Sequence, residues 1–253
     1  MMVLKKRWMA MVVAAGLTAP MVFAEHHESE TDKSGENTAQ VKGEVGNSVA
    51  VDLLNQAATL VQYARENESP LAMLTAVQMS RRVAVRDGAE ALSDTQTEAV
   101  EGEAEGGEAE KGSTPPATLD AATLLAEAKE WAEGDEHVLA LIEAEAAKPE
   151  PSAGTLGAVK GPIRHVAKIP ARTYVNYRNI KFRGGQLAKV AVIGDGDTDI
   201  DLYIYDQNNN LIRQDIDYTD RCYVQWTPKW TGNYRIRVAN RGRVYNRVVI
   251  LTN

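Results

Sequence analysis

Four aspartates at alternate positions, Asp195, Asp197, Asp199 and Asp201, form the densest group of chemically capable side chains in this sequence. They lie in GDGDTDIDLYIYD, Gly194 to Asp206. Two readings stay open for them. Calcium takes about six to eight oxygen ligands, and alternating acids in a loop that glycine permits can supply several. Alternatively, the aspartates form a turn by accepting backbone N–H groups at the entry to a core strand. The segment is not an EF-hand, because no glutamate follows at the required spacing. Elsewhere there is no H-E-x-x-H, no G-x-S-x-G and no Walker loop. Only four histidines are present, His26 and His27 among them, and no nucleophile can be paired with a base. A non-enzymatic protein without a cofactor is expected, with calcium the one candidate.

The acids must be positioned by strands. From about Arg172 onward the apolar pattern has a period of two, over 172–182, 186–193, 199–206, 210–214, 222–227, 232–239 and 244–252. Leu202 and Ile204 point to one face of their strand, and Asp201, Tyr203 and Tyr205 to the other. Tyr234, Ile236 and Val238 likewise oppose Arg235 and Arg237. Tyr203, Tyr205, Arg235 and Arg237 are therefore the candidate partner-binding residues, although tyrosines are also good strand formers. Cys222 shares an inner face with Val224 and Trp226, which favours a buried structural thiol. It is the sole cysteine, so no intramolecular disulfide can form. Asn208-Asn209-Asn210 is a turn, Pro228 stops a strand after Trp226, and Gly232 permits a tight turn before Tyr234. Seven short strands at this spacing predict an antiparallel, jelly-roll-like β-sandwich.

The residues Asp201-Leu202-Tyr203, Tyr205-Asp206, Trp226-Thr227-Pro228 and Thr231-Gly232-Asn233-Tyr234 give this region its particular pattern. Over about 165–253 it resembles the bacterial pre-peptidase C-terminal domain, a β-sandwich found beside secreted peptidases. The resemblance implies a binding or secretion-accessory module. It also implies a calcium site held partly by an acidic segment before the first strand. Here that segment, GPIRHVAKIPARTY, is basic and contains no acid. His165 within it is expected at the surface.

The N-terminal half reads differently. Lys5, Lys6 and Arg7 precede a short apolar run that ends Val22-Phe23-Ala24. This is the pattern of a signal peptide cleaved after Ala24, and it implies export to the periplasm or medium. Residues 25–47 lack hydrophobic periodicity and read as a disordered leader. Apolar residues at helical spacing then predict a helical region over 48–147. One helix carries Leu53, Leu54, Leu60 and Val61 after a cap at Ser48 or Asn47. Another starts at Ser69-Pro70 and a third follows Thr118, while Asp135 caps the last. Short hairpins of such helices predict a small bundle, its stripes serving as core or as a partner groove. Residues 87–116, rich in Glu, Gly and Ala, read as a disordered acidic insert, and 148–164 as a linker. The expected class is α+β, helices first and sandwich second.

Charge is unevenly divided. Residues 1–24 carry three Lys/Arg and no acid. Residues 25–160 carry ten Lys/Arg against 27 acids, and residues 161–253 carry fifteen against eight. The segments sum as +3, −17 and +7 to the net −7. A basic C-terminal half on an exported chain points to an anionic polymer or protein as partner, and not to nucleic acid.

Overall fold

Local signals set the helices. In the computed structural model, which describes residues 33–40, 46–100, 118–150 and 162–253, they are α1 (Gly46–Glu66), α2 (Pro70–Ser80), α3 (Ala121–Trp131) and α4 (Glu136–Ala146). The Ser69 hydroxyl accepts from Ala72 N–H at 3.4 Å, and Pro70 opens α2 without needing a donor. Asp120 and Asp135 cap α3 and α4 in the same way. Gly134, at φ 89°, turns the chain between those two helices. None of the helices among the described residues is long and apolar enough to cross a membrane.

Among the described residues, ten strands form two sheets of five. The first has the order β1 (Arg86–Asp87), β3 (Ile163–Ile169), β10 (Asn246–Thr252), β5 (Ala188–Ile193) and β8 (Arg221–Trp226). The second runs β2 (Thr95–Ala99), β4 (Thr173–Phe182), β9 (Gly232–Asn240), β6 (Ile200–Asp206) and β7 (Leu211–Asp215). All pairings are antiparallel except β1 with β3. The class is α+β, with the four helices preceding most of the strands.

The inner faces of the two sheets enclose one core. Phe182, Trp226 and Tyr234 meet there edge-on or tilted, with centroids 4.8 to 5.5 Å apart, against Leu202, Ile204, Ile236, Val190 and Ile250. The other side of the first sheet is also buried. Ala191, Ile193, Val249 and Leu251 pack under α1–α3, among Leu54, Val61, Met73 and Leu124. The described residues of 33–253 thus form three layers, helices on sheet on sheet, and the helices share their core with β5 and β10. The sequence pattern predicts a separate bundle instead. It cannot show that the apolar stripes of the helices face a sheet, because any apolar face satisfies the same periodicity. One charged pair crosses this junction: Lys189, 1 % exposed, reaches Asp52 of α1, which also accepts from Tyr223 Oη at 2.7 Å.

Three stretches, and His165 within one of them, differ from their sequence-based expectations. Residues 86–100 carry β1 and β2 although their composition reads as an unstructured insert. Ladder hydrogen bonds to β3 and β4 supply what their few apolar side chains do not. Residues 163–169 form β3, the strand between β1 and β10, where a linker and a basic lead-in were expected. Its alternation is weak because only Ile163 and Ile169 are fully inward. Residues 33–40, read as leader, lie against the end of the second sheet, and Ala39 bridges to Thr227. His165 is half-buried and edge-on to Tyr177 at 5.8 Å, and burial lowers its pKa. The expected signal peptide, the rest of the leader, residues 101–116 of the insert and the Pro/Gly part of the linker lie outside the described residues.

Candidate functional site

Strand alternation places the four candidate partner-binding residues together. In the β6–β9 ladder Tyr203 stands opposite Arg237, and Tyr205 opposite Arg235. Directly opposed residues share a face, so all four lie on the outer side of the second sheet, while the helices pack on the first. Their neighbours extend the row. β4 adds Tyr174 and Asn176, β2 adds Gln96 and Glu98, and Arg241 follows the end of β9.

Arginines and tyrosines interleave along this face. The Arg235 guanidinium lies 4.3 Å from the centre of the Tyr205 ring, and that of Arg237 lies 4.8 Å from Tyr174 and 5.6 Å from Tyr205. Arg241 is 5.3 Å from Tyr174. Each contact is a cation–π interaction, worth about 0.5–1 kcal/mol where solvent has access. Arg237 also donates from Nε to Asn176 Oδ1 at 2.7 Å and from Nη2 to Glu98 at 3.0 Å. Arg241 donates from Nε to Asp201 at 2.7 Å and from Nη2 to Tyr203 Oη at 3.0 Å. Burial and the hydrogen bond to Asp201 push the Tyr203 hydroxyl up to about 12. These contacts hold the rings and guanidinium groups in place across the outer face of the sheet.

Asp195, Asp197, Asp199 and Asp201 are not gathered into one ligand set. The Asp195 carboxylate, 6 % exposed, accepts from Arg247 N–H of β10 at 3.0 Å, and its own N–H donates to Asn246. Asp201 is engaged by Arg241 and Tyr203 on the outer face. Asp199 Oδ1 is buried without a hydrogen bond, and burial, then repulsion from Asp201, raises its pKa. Among the described residues no three His, Cys, Asp or Glu side chains converge as a metal site. A guanidinium 2.7 Å from Asp201 also opposes a divalent cation there. The arrangement therefore does not fit a calcium site built on these four acids. Nor do the acids cap only their own loop. Asp195 ties it to β10, and Asp220 from the β7–β8 connection accepts from Gly196 N–H, where φ is 96°.

A cleft of about 310 Å³ lies between α1 and this loop, lined by Val61, Arg65, Ile193, Asp195, Gly196 and Asp220. Arg65, at its edge, is held by Glu127 of α3 at 2.7 Å. Cys222 is 2 % exposed, donates to Ile200 O at 3.0 Å, and has its pKa raised by burial, so it is an inert core thiol.

Sequence reasoning misses Asn37 entirely. It is fully buried at the end of the second sheet. Its N–H donates to Asp206 at 2.9 Å and its Nδ2 to Trp230 O at 3.0 Å. Its Oδ1 accepts from Trp230 N–H at 3.0 Å, and its carbonyl accepts from Tyr234 Oη at 2.5 Å. Gly232 lies close against this anchor: a Cβ would displace the Gln207 amide, 2.2 Å away, and press on Asn37 Nδ2 at 3.0 Å. A single polar residue in a polar stretch carries no periodic signal, so only the fold reveals this anchor. No known family model matches the chain, and a search of curated proteins finds no match.

Proposed function

We propose that this is a non-enzymatic exported protein whose sandwich, similar to pre-peptidase C-terminal domains, binds an anionic polymer or protein through its Tyr–Arg face. The observation that carries this reading is the cross-strand pairing of Tyr203 with Arg237 and Tyr205 with Arg235 on the sheet face turned away from the helices. Fixed aromatic rings offer flat apolar contact, and guanidinium groups between them offer planar donors for carboxylate or sulfate. The excess of fifteen basic over eight acidic residues in 161–253 draws an anionic partner to this half.

The alternative, a folding or secretion appendage, has less support. An appendage should separate cleanly after about residue 160. Here Ala191, Ile193, Val249 and Leu251 share a core with the helices, so separation would expose that apolar face. The test is retention of the mature chain on an immobilised anionic polysaccharide over a salt gradient. Reversing both charges, Arg235→Glu with Arg237→Glu, is expected to abolish retention while the melting curve stays cooperative. Unchanged retention of the folded double variant would sink the reading.

A further inference from the structure

Three arginines occupy the face, yet they are not equivalent. Arg237 is matched by Glu98 of β2 at 3.0 Å, and Arg241 by Asp201 at 2.7 Å. Arg235 has no carboxylate partner among the described residues. Its Nη2 donates to the neutral Asn209 Oδ1 at 2.6 Å, and its Nε is buried without a hydrogen-bond acceptor. Its guanidinium lies on the Tyr205 ring, and burial followed by repulsion from Arg237 disfavours its charge. Its Nε is closed to solvent, so an anion arriving on the outer face would meet the Nη groups and compensate a charge that burial disfavours. Of these three arginines, only Arg235 has no carboxylate within ion-pair distance among the described residues.

Resting on the proposed polymer-binding role, we infer that Arg235 is a single-anion subsite on an otherwise neutral aromatic platform. The ligand class that fits is a polysaccharide with isolated carboxylates separated by uncharged sugars. One carboxylate meets Arg235, and the neighbouring rings lie across Tyr205 and Tyr203. A densely sulfated polymer fits poorly, because its next charges would fall on Arg237 and Arg241, already neutralised, and close to Glu98 and Asp201. β2 produces this selectivity: it brings Glu98 to the sheet from a stretch whose composition gives no sign of a strand.

The test compares three immobilised probes with the full mature chain: hyaluronan, with one carboxylate per disaccharide; heparin, densely sulfated; and neutral dextran. Retention on hyaluronan beyond that on heparin at equal salt is expected, with little on dextran. Arg235→Gln is expected to lower hyaluronan affinity about tenfold, as loss of a charge-assisted contact does. Arg237→Gln, which removes an already paired charge, should lower it far less. Glu98→Gln is expected to raise heparin retention. A preference of the native chain for heparin, or equal losses from Arg235→Gln and Arg237→Gln, would overturn the single-anion subsite alone. No retention on any of the three would count against the polymer-binding role itself. Circular dichroism of each variant separates lost binding from lost folding.

Discussion

The two sheets of this molecule are built from different sequences because their outer faces meet different surroundings. β5 and β10, in the first sheet, read AKVAVI and NRVVILT and are buried on both sides, against the sandwich core and against the helices. Their runs are close to continuous in apolar residues, as strands covered on both faces must be. β6 and β9, in the second sheet, read IDLYIYD and GNYRIRVAN and alternate strictly over Leu202–Tyr205 and Tyr234–Val238. Only one of their faces needs to be apolar. The first sheet thus holds the layers together, and the second is free to carry tyrosines and arginines on its outer face. The exception makes the same point: Lys189 sits on the covered face, and Asp52 must come from α1 to meet its charge.

The contrast is most sharply broken by matched truncations on the two outer faces. Leu251→Ala, under the helices, is expected to lose about 2–5 kcal/mol by opening a cavity between layers. Tyr205→Ala, on the open face, should cost under about 1 kcal/mol while weakening ligand retention. Chemical denaturation of both variants decides it, and equal losses would mean that the second sheet is as covered as the first. Next in size is Asn37→Ala. It leaves Trp230 N–H and Trp230 O without their partner and is expected to cost about 1–3 kcal/mol. If the melting curve is unchanged, the strap at 33–40 does not close the end of the second sheet. The smallest effect concerns Asp220, just before β8 and in the cleft beside α1. Burial raises its folded-state pKa above 3.8, so the folded chain holds the proton more tightly and stability falls as pH rises through that window. Asp220→Asn keeps an acceptor for Gly196 N–H. It should give a small rise in the urea midpoint at neutral pH that vanishes below pH 3.8. A loss at neutral pH would show that the ionised carboxylate is needed.

Much of this architecture was legible in advance. The expected strands from 172 to 252 match β4 to β10 within about two residues, the ordinary uncertainty of element ends. Ser69-Pro70, Asp135, Gly134 and Pro228 each act as their local chemistry predicts. The face shared by Tyr203, Tyr205, Arg235 and Arg237 follows from period-two alternation plus one antiparallel pairing. Less legible were β1, β2 and β3, whose order depends on hydrogen bonds to strands distant in sequence and not on their own apolar content. The separate partners of the aspartates were hidden for a related reason. Alternation along a strand puts Asp201 on the outer face with Arg241, whereas Asp195 in the preceding loop turns to Arg247 N–H of β10.

By itself, then, the sequence determined the elements, their apolar faces and the division of charge between the halves, because these depend on local propensity, period and composition. Only the tertiary structure decided that the helices roof one sheet, that Asn37 locks the end of the other, and that Glu98 and Asp201 neutralise two arginines and leave Arg235 unmatched. Those outcomes join residues between 40 and 200 positions apart. No local pattern encodes such a pairing, because it exists only after the core has formed and brought the partners within hydrogen-bond reach.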